Sequence, residues 1–204
     1  MCGEAKGAGA AIVMGETISI HDTMGPLANV LDFWFRELGP QDWFRGSDDL
    51  DAVVRLRFGA LHAAAAAGAL DESAQTPRGR VALILVLDQF SRHIHRGTAR
   101  AFACDARAQT LAVEGIAAGM DANLSFDERH FFAMPLMHAE DPALQAQSLA
   151  YFAALADHAA NVLRFAQGHR DEITRFGRFA GRNAALGRET TPAERTFLDG
   201  GRHD

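Results

Sequence analysis

Apolar positions recur at helical spacing along most of the chain. Pro26 opens a first helix with Leu27, Val30, Leu31, Trp34 and Leu38 on one stripe, and Gly39-Pro40 stops it. Ser47 caps a second, whose expected apolar face is Leu50, Val53, Val54, Phe58 and Leu61 and which ends at Gly68. Thr76-Pro77 starts a third, containing the apolar run from Val81 to Leu87. Alone, that run also fits a buried strand; its length with flanks and its helical neighbours decide for helix. Thr98 is expected to cap a fourth helix through Phe102, Leu111 and Ile116, closed by Gly119. Ser125 and Glu128 have capping-box spacing ahead of Phe131 and Phe132, and Pro135 is expected to bend or break that element. Asp141-Pro142 begins a long helix stacking Leu144, Ser148, Phe152, Leu155, Val162 and Ala166, with a stop at Gly168 and a shorter helix from about Asp171 to Phe176. In Thr191-Pro192-Ala193-Glu194 a cap, a first-turn proline and a capping-box glutamate coincide.

About eight helices joined by short turns, with no alternating strand pattern, predict an all-α fold of antiparallel helical hairpins. Residues 25–204 are expected to form a single domain, and 1–24, rich in Gly and Ala and without a period, a loosely held N-terminal tail. Glu4 and the short run Ala10–Met14 do not fit a secretory leader, so cytoplasmic location is the default expectation. Met24, just ahead of the first helix, is a second candidate start of translation.

Composition narrows the function classes. Hydrophobic residues make up 48% and charged residues 23% of the 204, ordinary for a soluble globular protein. A net charge of -6 argues against general affinity for nucleic acid or an anionic membrane. No apolar run approaches the roughly 20 residues that span a bilayer. Lys6 is the only lysine, so the basic side chains are arginines, which bind carboxylate and phosphate as a fork. Cys2 and Cys104 fit no metal spacing and are expected to be free thiols.

The chemistry concentrates where the third helix ends. Seven apolar residues run into Asp88, followed by Arg92, His93, His95 and Arg96. In a continued helix Asp88, Arg92 and Arg96 lie four apart on one face, either as a structural ion pair closing a buried helix or as part of a site. His138, between Met134-Pro135 and the helix-starting acids Glu140 and Asp141, is a candidate general base. Among the six arginines from Arg164 to Arg188, Gly177 and Gly181 let the backbone turn; Arg178 and Arg182 are assigned to an anion pocket, and Arg164, Arg175 and Arg188 to a solvated face. No metal is expected: His93 and His95 point apart on a helix, no HExxH or paired-cysteine motif occurs, and His21-Asp22 and His203-Asp204 fall near the chain ends. No G-x-S-x-G elbow, phosphate loop or dinucleotide fingerprint is present, and no cofactor is expected.

Several segments together resemble a known family. They are Val30-Leu-Asp-Phe-Trp-Phe35, Leu87-Asp-Gln-Phe-Ser-Arg92 with Arg96-Gly-Thr98, Met134-Pro-Leu-Met-His-Ala-Glu-Asp141, His169-Arg-Asp171, Arg175-Phe-Gly-Arg-Phe179 with Arg182-Asn183, and Leu186-Gly-Arg188. In this order they are similar to the bacterial domain of unknown function 924, placed in the tetratricopeptide-like helical superfamily. Ser91 stands where relatives usually have Pro, and Ala180-Gly181 where they have Pro-His. The resemblance implies a fold and no activity.

The expectation is therefore a polar pocket built from 88–98, 134–141 and 169–183. It would hold a small anionic ligand through Arg92, Arg96, His169, Arg178, Arg182 and Asn183, with Asp88 and His138 as the acid–base pair if the protein is an enzyme. The alternative is a helical interaction module, with arginines and Asn183 gripping a peptide carboxylate. The aromatics Phe33, Trp34, Phe35, Trp43 and Phe44 are expected in the core, with an exposed subset near Trp43.

Overall fold

In a computed structural model, residues 25–44 and 46–200 are described, and their regular structure is helical throughout, with no strand among them. The tail at 1–24, Cys2, Met24 and both His-Asp pairs lie outside the described residues. The described residues group into two compact units that divide between Ala139 and Glu140.

In the first unit a 3₁₀ turn, Gly25–Leu27, leads into α1 (Ala28–Asp32), which runs on as a π-type turn over Phe33–Glu37. Leu38 is extended and ends it, as Gly39-Pro40 requires. Leu27, Val30, Leu31 and Trp34 are buried as expected. After the short α2 (Pro40–Trp43), Ser47 Oγ accepts the Leu50 N–H at 3.1 Å and starts α3 (Asp48–Ala66). Gly68, at φ +86°, takes the left-handed conformation that ends the helix.

The inward face of α3 differs from the expected one. It consists of Asp51, Val54, Phe58, His62 and Ala65, while Val53 is 40% exposed and Leu50 and Leu61 are half-buried. Two polar side chains therefore point inward. They are tolerated there because each finds hydrogen-bonding partners on the helix opposite.

That opposite helix begins where Thr76 Oγ1 accepts the Gly79 N–H at 3.1 Å. Helix α4 (Pro77–Ile84) passes through a π-type turn, Leu85–Phe90, into α5 (Ser91–Ile94), and every residue from Val81 to Ser91 is buried. The apolar run is thus a central helix, and its wide turn carries Asp88 and Gln89. Around it Phe33, Trp34, Phe58, Phe90 and Phe131 form an aromatic core, with Phe58 and Phe90 at 4.8 Å and Trp34 perpendicular to Phe131 at 5.3 Å. Arg80 ties the helix to its surroundings, donating to the Ala74 and Leu111 carbonyls at 2.9 and 2.8 Å.

The fourth helix starts later than expected. The Thr98 hydroxyl donates backward to the His95 carbonyl at 2.8 Å, so it closes the preceding turn instead of capping a new helix. A 3₁₀ turn over Ala99–Phe102 intervenes, Phe102 is 59% exposed, and α6 (Asp105–Ala117) begins with Cys104 at its cap position. The Ser125–Glu128 capping box opens α7 (Phe126–Met137), which packs on α6. Pro135 does not break α7: it lies within the last turn, and the helix closes at His138.

In the second unit Asp141 Oδ1 accepts the Ala143 and Leu144 N–H groups at 2.8 and 2.9 Å and starts α8 (Pro142–Phe176). This helix continues through Gly168, so the expected stop and the separate helix over 171–176 merge into one element of 35 residues. A glycine inside a helix costs only about 1 kcal/mol relative to alanine, too little to end a long one. Gly177, at φ +68°, is the actual terminator. A 3₁₀ turn, Ala180–Arg182, and α9 (Pro192–Asp199) come next, the latter opened by the Thr191–Glu194 capping box. Among the described residues no helix is long and apolar enough to cross a membrane.

Candidate functional site

Asp88 is 1% exposed, and three side chains meet its carboxylate. Arg92 Nη2 donates to Oδ1 at 2.9 Å, His138 Nδ1 lies 2.8 Å from the same oxygen, and Gln89 Nε2 donates to Oδ2 at 2.5 Å. The wide turn of the central helix supplies Asp88 and Gln89, the next turn supplies Arg92, and the end of α7 supplies His138. Burial opposes ionisation of Asp88, but His138, Arg92 and Gln89 together hold its carboxyl below the usual carboxylate range. An ionised carboxylate only accepts, so His138 donates to it from Nδ1, and in the neutral ring the lone pair then falls on Nε2.

Arg92 also reaches Asp105, at the start of α6, with Nη2 3.1 Å from Oδ2. Burial raises the Asp105 carboxyl above its ordinary range, and the nearby Asp88 charge adds to this against the pull of Arg92. Arg92 Nε and Asp105 Oδ1 are buried and have no hydrogen-bonding partner in the protein, and the guanidinium lies 5.1 Å from the Phe102 ring centre. Both Arg92–carboxylate bonds use Nη2, leaving the rest of the fork open. The cluster thus combines an oriented histidine with an arginine that retains hydrogen-bonding capacity.

Arg96, also assigned from sequence to the ligand, is differently engaged. Its Nε and Nη2 grip both oxygens of Asp51, the latter at 2.7 Å, and His93 Nδ1 lies 2.7 Å from Asp51 Oδ1. These bonds, with Arg96 the largest influence, hold the Asp51 carboxyl below its ordinary range despite burial. This knot fastens α3 to α5. Next to it His62 Nε2 lies 2.7 Å from Ser91 Oγ, which suggests at first a nucleophile and its base. The Ser91 hydroxyl proton, however, goes to the Leu87 carbonyl at 2.6 Å, so His62 Nε2 must itself donate to Ser91. Ser91 is therefore a fully buried link between helices and is not activated.

In the second unit Arg178 and Asn183 converge on Glu194, which is 1% exposed. Arg178 donates from Nε and Nη2 at 2.6 and 2.9 Å, Asn183 Nδ2 at 3.2 Å and the Thr191 N–H at 2.8 Å. These bonds, led by Arg178, drive the Glu194 carboxyl far below its ordinary range. From sequence Glu194 is a capping acid; in the structure it also fills the fork of Arg178. Arg182 stacks over Phe179 at 4.4 Å, and the His169 ring meets the same Phe179 at 5.5 Å. Arg188, expected on a solvated face, is half-buried and donates to the Phe179 carbonyl at 3.2 Å.

Among the described residues no group of three or more His, Cys, Asp or Glu is placed to hold a metal ion. The buried Asp51, His62 and Glu194 and the half-buried Asp105 are the partners that sequence reasoning missed. The signal was clearest for Asp51 and His62, which occupy the Val54–Phe58–Ala65 stripe of α3.

Fold and cluster together define an all-α protein with a buried carboxylate that positions a histidine and an arginine. The chain belongs to DUF924, a family of bacterial proteins of unknown function, with the match extending over residues 30–202. It is similar to a solved structure of a protein of unknown function from Agrobacterium tumefaciens, with 40% identity and a TM-score of 0.58, over 86% of this chain and 97% of that one. No curated protein matches it.

Proposed function

We propose that the protein binds a small ligand bearing a carboxylate or phosphate group at the Asp88–Arg92–Asp105–His138 cluster. His138 is the acid–base group should the ligand be a substrate. The observation that supports this most is the combination at Asp88: a buried carboxylate fixes His138 through Nδ1, while Arg92 keeps a buried Nε without a protein partner. A purely structural ion pair needs neither an oriented imidazole nor an unused donor. Arg92 would take an oxygen of the ligand, and His138 Nε2 would exchange a proton with it. Arg96, Arg178 and Asn183 are left out of the proposed contacts because Asp51 and Glu194 hold them.

A second reading, a helical interaction module, draws on the exposed Leu149, Val162, Leu163 and Phe165 of α8. The ligand reading is tested by native mass spectrometry of protein purified without denaturation. A retained small-molecule adduct is expected in the wild type and is expected to be shed by Arg92→Gln and by His138→Gln. A wild type without an adduct, or an adduct kept by both variants, contradicts the proposal.

A further inference from the structure

His138, Asp88, Arg92 and Asp105 form one hydrogen-bonded chain, in that order. Asp88 is 1% exposed, whereas the side chains of His138, Arg92 and Asp105 keep 29%, 23% and 19% of their surface. A ligand therefore meets the last three and leaves Asp88 behind them. Their charges are out of balance. With His138 neutral, as the role of a base requires, two carboxylates share the single positive charge of Arg92. They share it through one nitrogen, Nη2, which lies 2.9 Å from Asp88 Oδ1 and 3.1 Å from Asp105 Oδ2. Asp105 is the less satisfied of the two: its Oδ1 has no hydrogen-bonding partner in the protein. The charged groups that act most strongly on it are Arg92, Asp88 and His138. A plain anion entering here is attracted by Arg92 and repelled by Asp105. A ligand that also brings a positive donor satisfies both.

We infer that the ligand of this cluster is an α-amino acid, with its carboxylate on Arg92 and its ammonium on Asp105. The inference rests on the ligand function proposed above and names the class of ligand. The spacing of the two protein groups selects that class. Arg92 Nη2 and Asp105 Oδ2 are only 3.1 Å apart, so the anion and the cation of the ligand must also be close neighbours, as they are across a single α-carbon. A phosphate monoester or a simple carboxylate supplies the anion alone and leaves Asp105 without its donor. The ammonium provides that donor, since a carboxylate turns readily about its last bond and presents either oxygen. His138 keeps the acid–base role described above.

Titration of the full chain with a panel of free L-amino acids tests this. Each is compared with the acid that lacks the ammonium and the amine that lacks the carboxylate, at neutral pH and matched ionic strength. The ring resonances of His138, assigned with His138→Gln, are the readout. At least one amino acid is expected to bind about tenfold or more tightly than either counterpart. Asp105→Asn is expected to remove that preference and Asp105→Glu to keep part of it, whereas Arg92→Gln weakens the amino acid and the acid alike. An acid that binds as tightly as its amino acid overturns the inference and leaves the ligand function standing, as does a preference that survives in Asp105→Asn. A wild type that responds to no member of the panel overturns both.

Discussion

Asp88→Ala is expected to lower the free energy of unfolding by about 3–5 kcal/mol, the range for removing one member of a buried ion pair. The loss is large because three donors, from Gln89, Arg92 and His138, converge on a carboxylate that is 1% exposed. Removing the acceptor leaves Gln89 and part of the Arg92 guanidinium desolvated without their bonds and opens a void at a buried position of the central helix. Asp88→Asn, which keeps the shape and one acceptor oxygen, is expected to lose less. The pH dependence comes from the depressed folded-state pKa. The stabilisation from Asp88 is fully present above the unfolded carboxyl value of about 3.9 and disappears as pH falls through the lower folded value. Denaturant unfolding of wild type and variant at neutral pH and at stepwise lower pH measures both effects. The Asp88→Ala deficit should shrink as the acid limit is approached; an unchanged midpoint at neutral pH would show that Asp88 is not buried.

Asp51→Ala is expected to cost about 2–4 kcal/mol, somewhat below the buried-pair range because Arg96, one of its partners, is 44% exposed and can rehydrate. The remaining loss comes from His93, whose side chain is only 7% exposed and whose Nδ1 donor would have no acceptor. Arg96→Ala should be milder than Asp51→Ala, because Asp51 then keeps His93. Chemical denaturation of the two variants gives the order; a larger loss for Arg96→Ala would mean that the arginine, not the buried carboxylate, holds α3 to α5.

Much of this was legible in the sequence where a local rule decides the outcome. Ser47, Thr76, Ser125 with Glu128, Asp141 and Thr191 with Glu194 each cap the helix their spacing indicates. The apolar run before Asp88 is buried, and the four-residue step from Asp88 to Arg92 is an ion pair. The illegible part depends on partners distant in sequence. Asp51 and His62 share the Val54–Phe58–Ala65 stripe, but their partners His93, Arg96 and Ser91 come from the central helix about 30 to 45 residues away. Asp105, well inside the helix expected from Thr98, shows no sign of a partner until Arg92 reaches it. Gly168 and Thr98 mislead for another reason: both carry a stop or start signal that neighbouring backbone overrides, one inside a long helix and one through a backward hydrogen bond.

The imidazole of His138 offers the most direct test, because the proposed function depends on Asp88 holding Nδ1–H and leaving Nε2 as the base. Long-range ¹H–¹⁵N correlation of the ring nitrogens, assigned with His138→Gln and recorded where the ring is neutral, distinguishes the two tautomers. The expected result is Nδ1 protonated and Nε2 carrying the lone pair; a neutral ring protonated on Nε2 would contradict the Asp88–His138 bond and the acid–base role built on it.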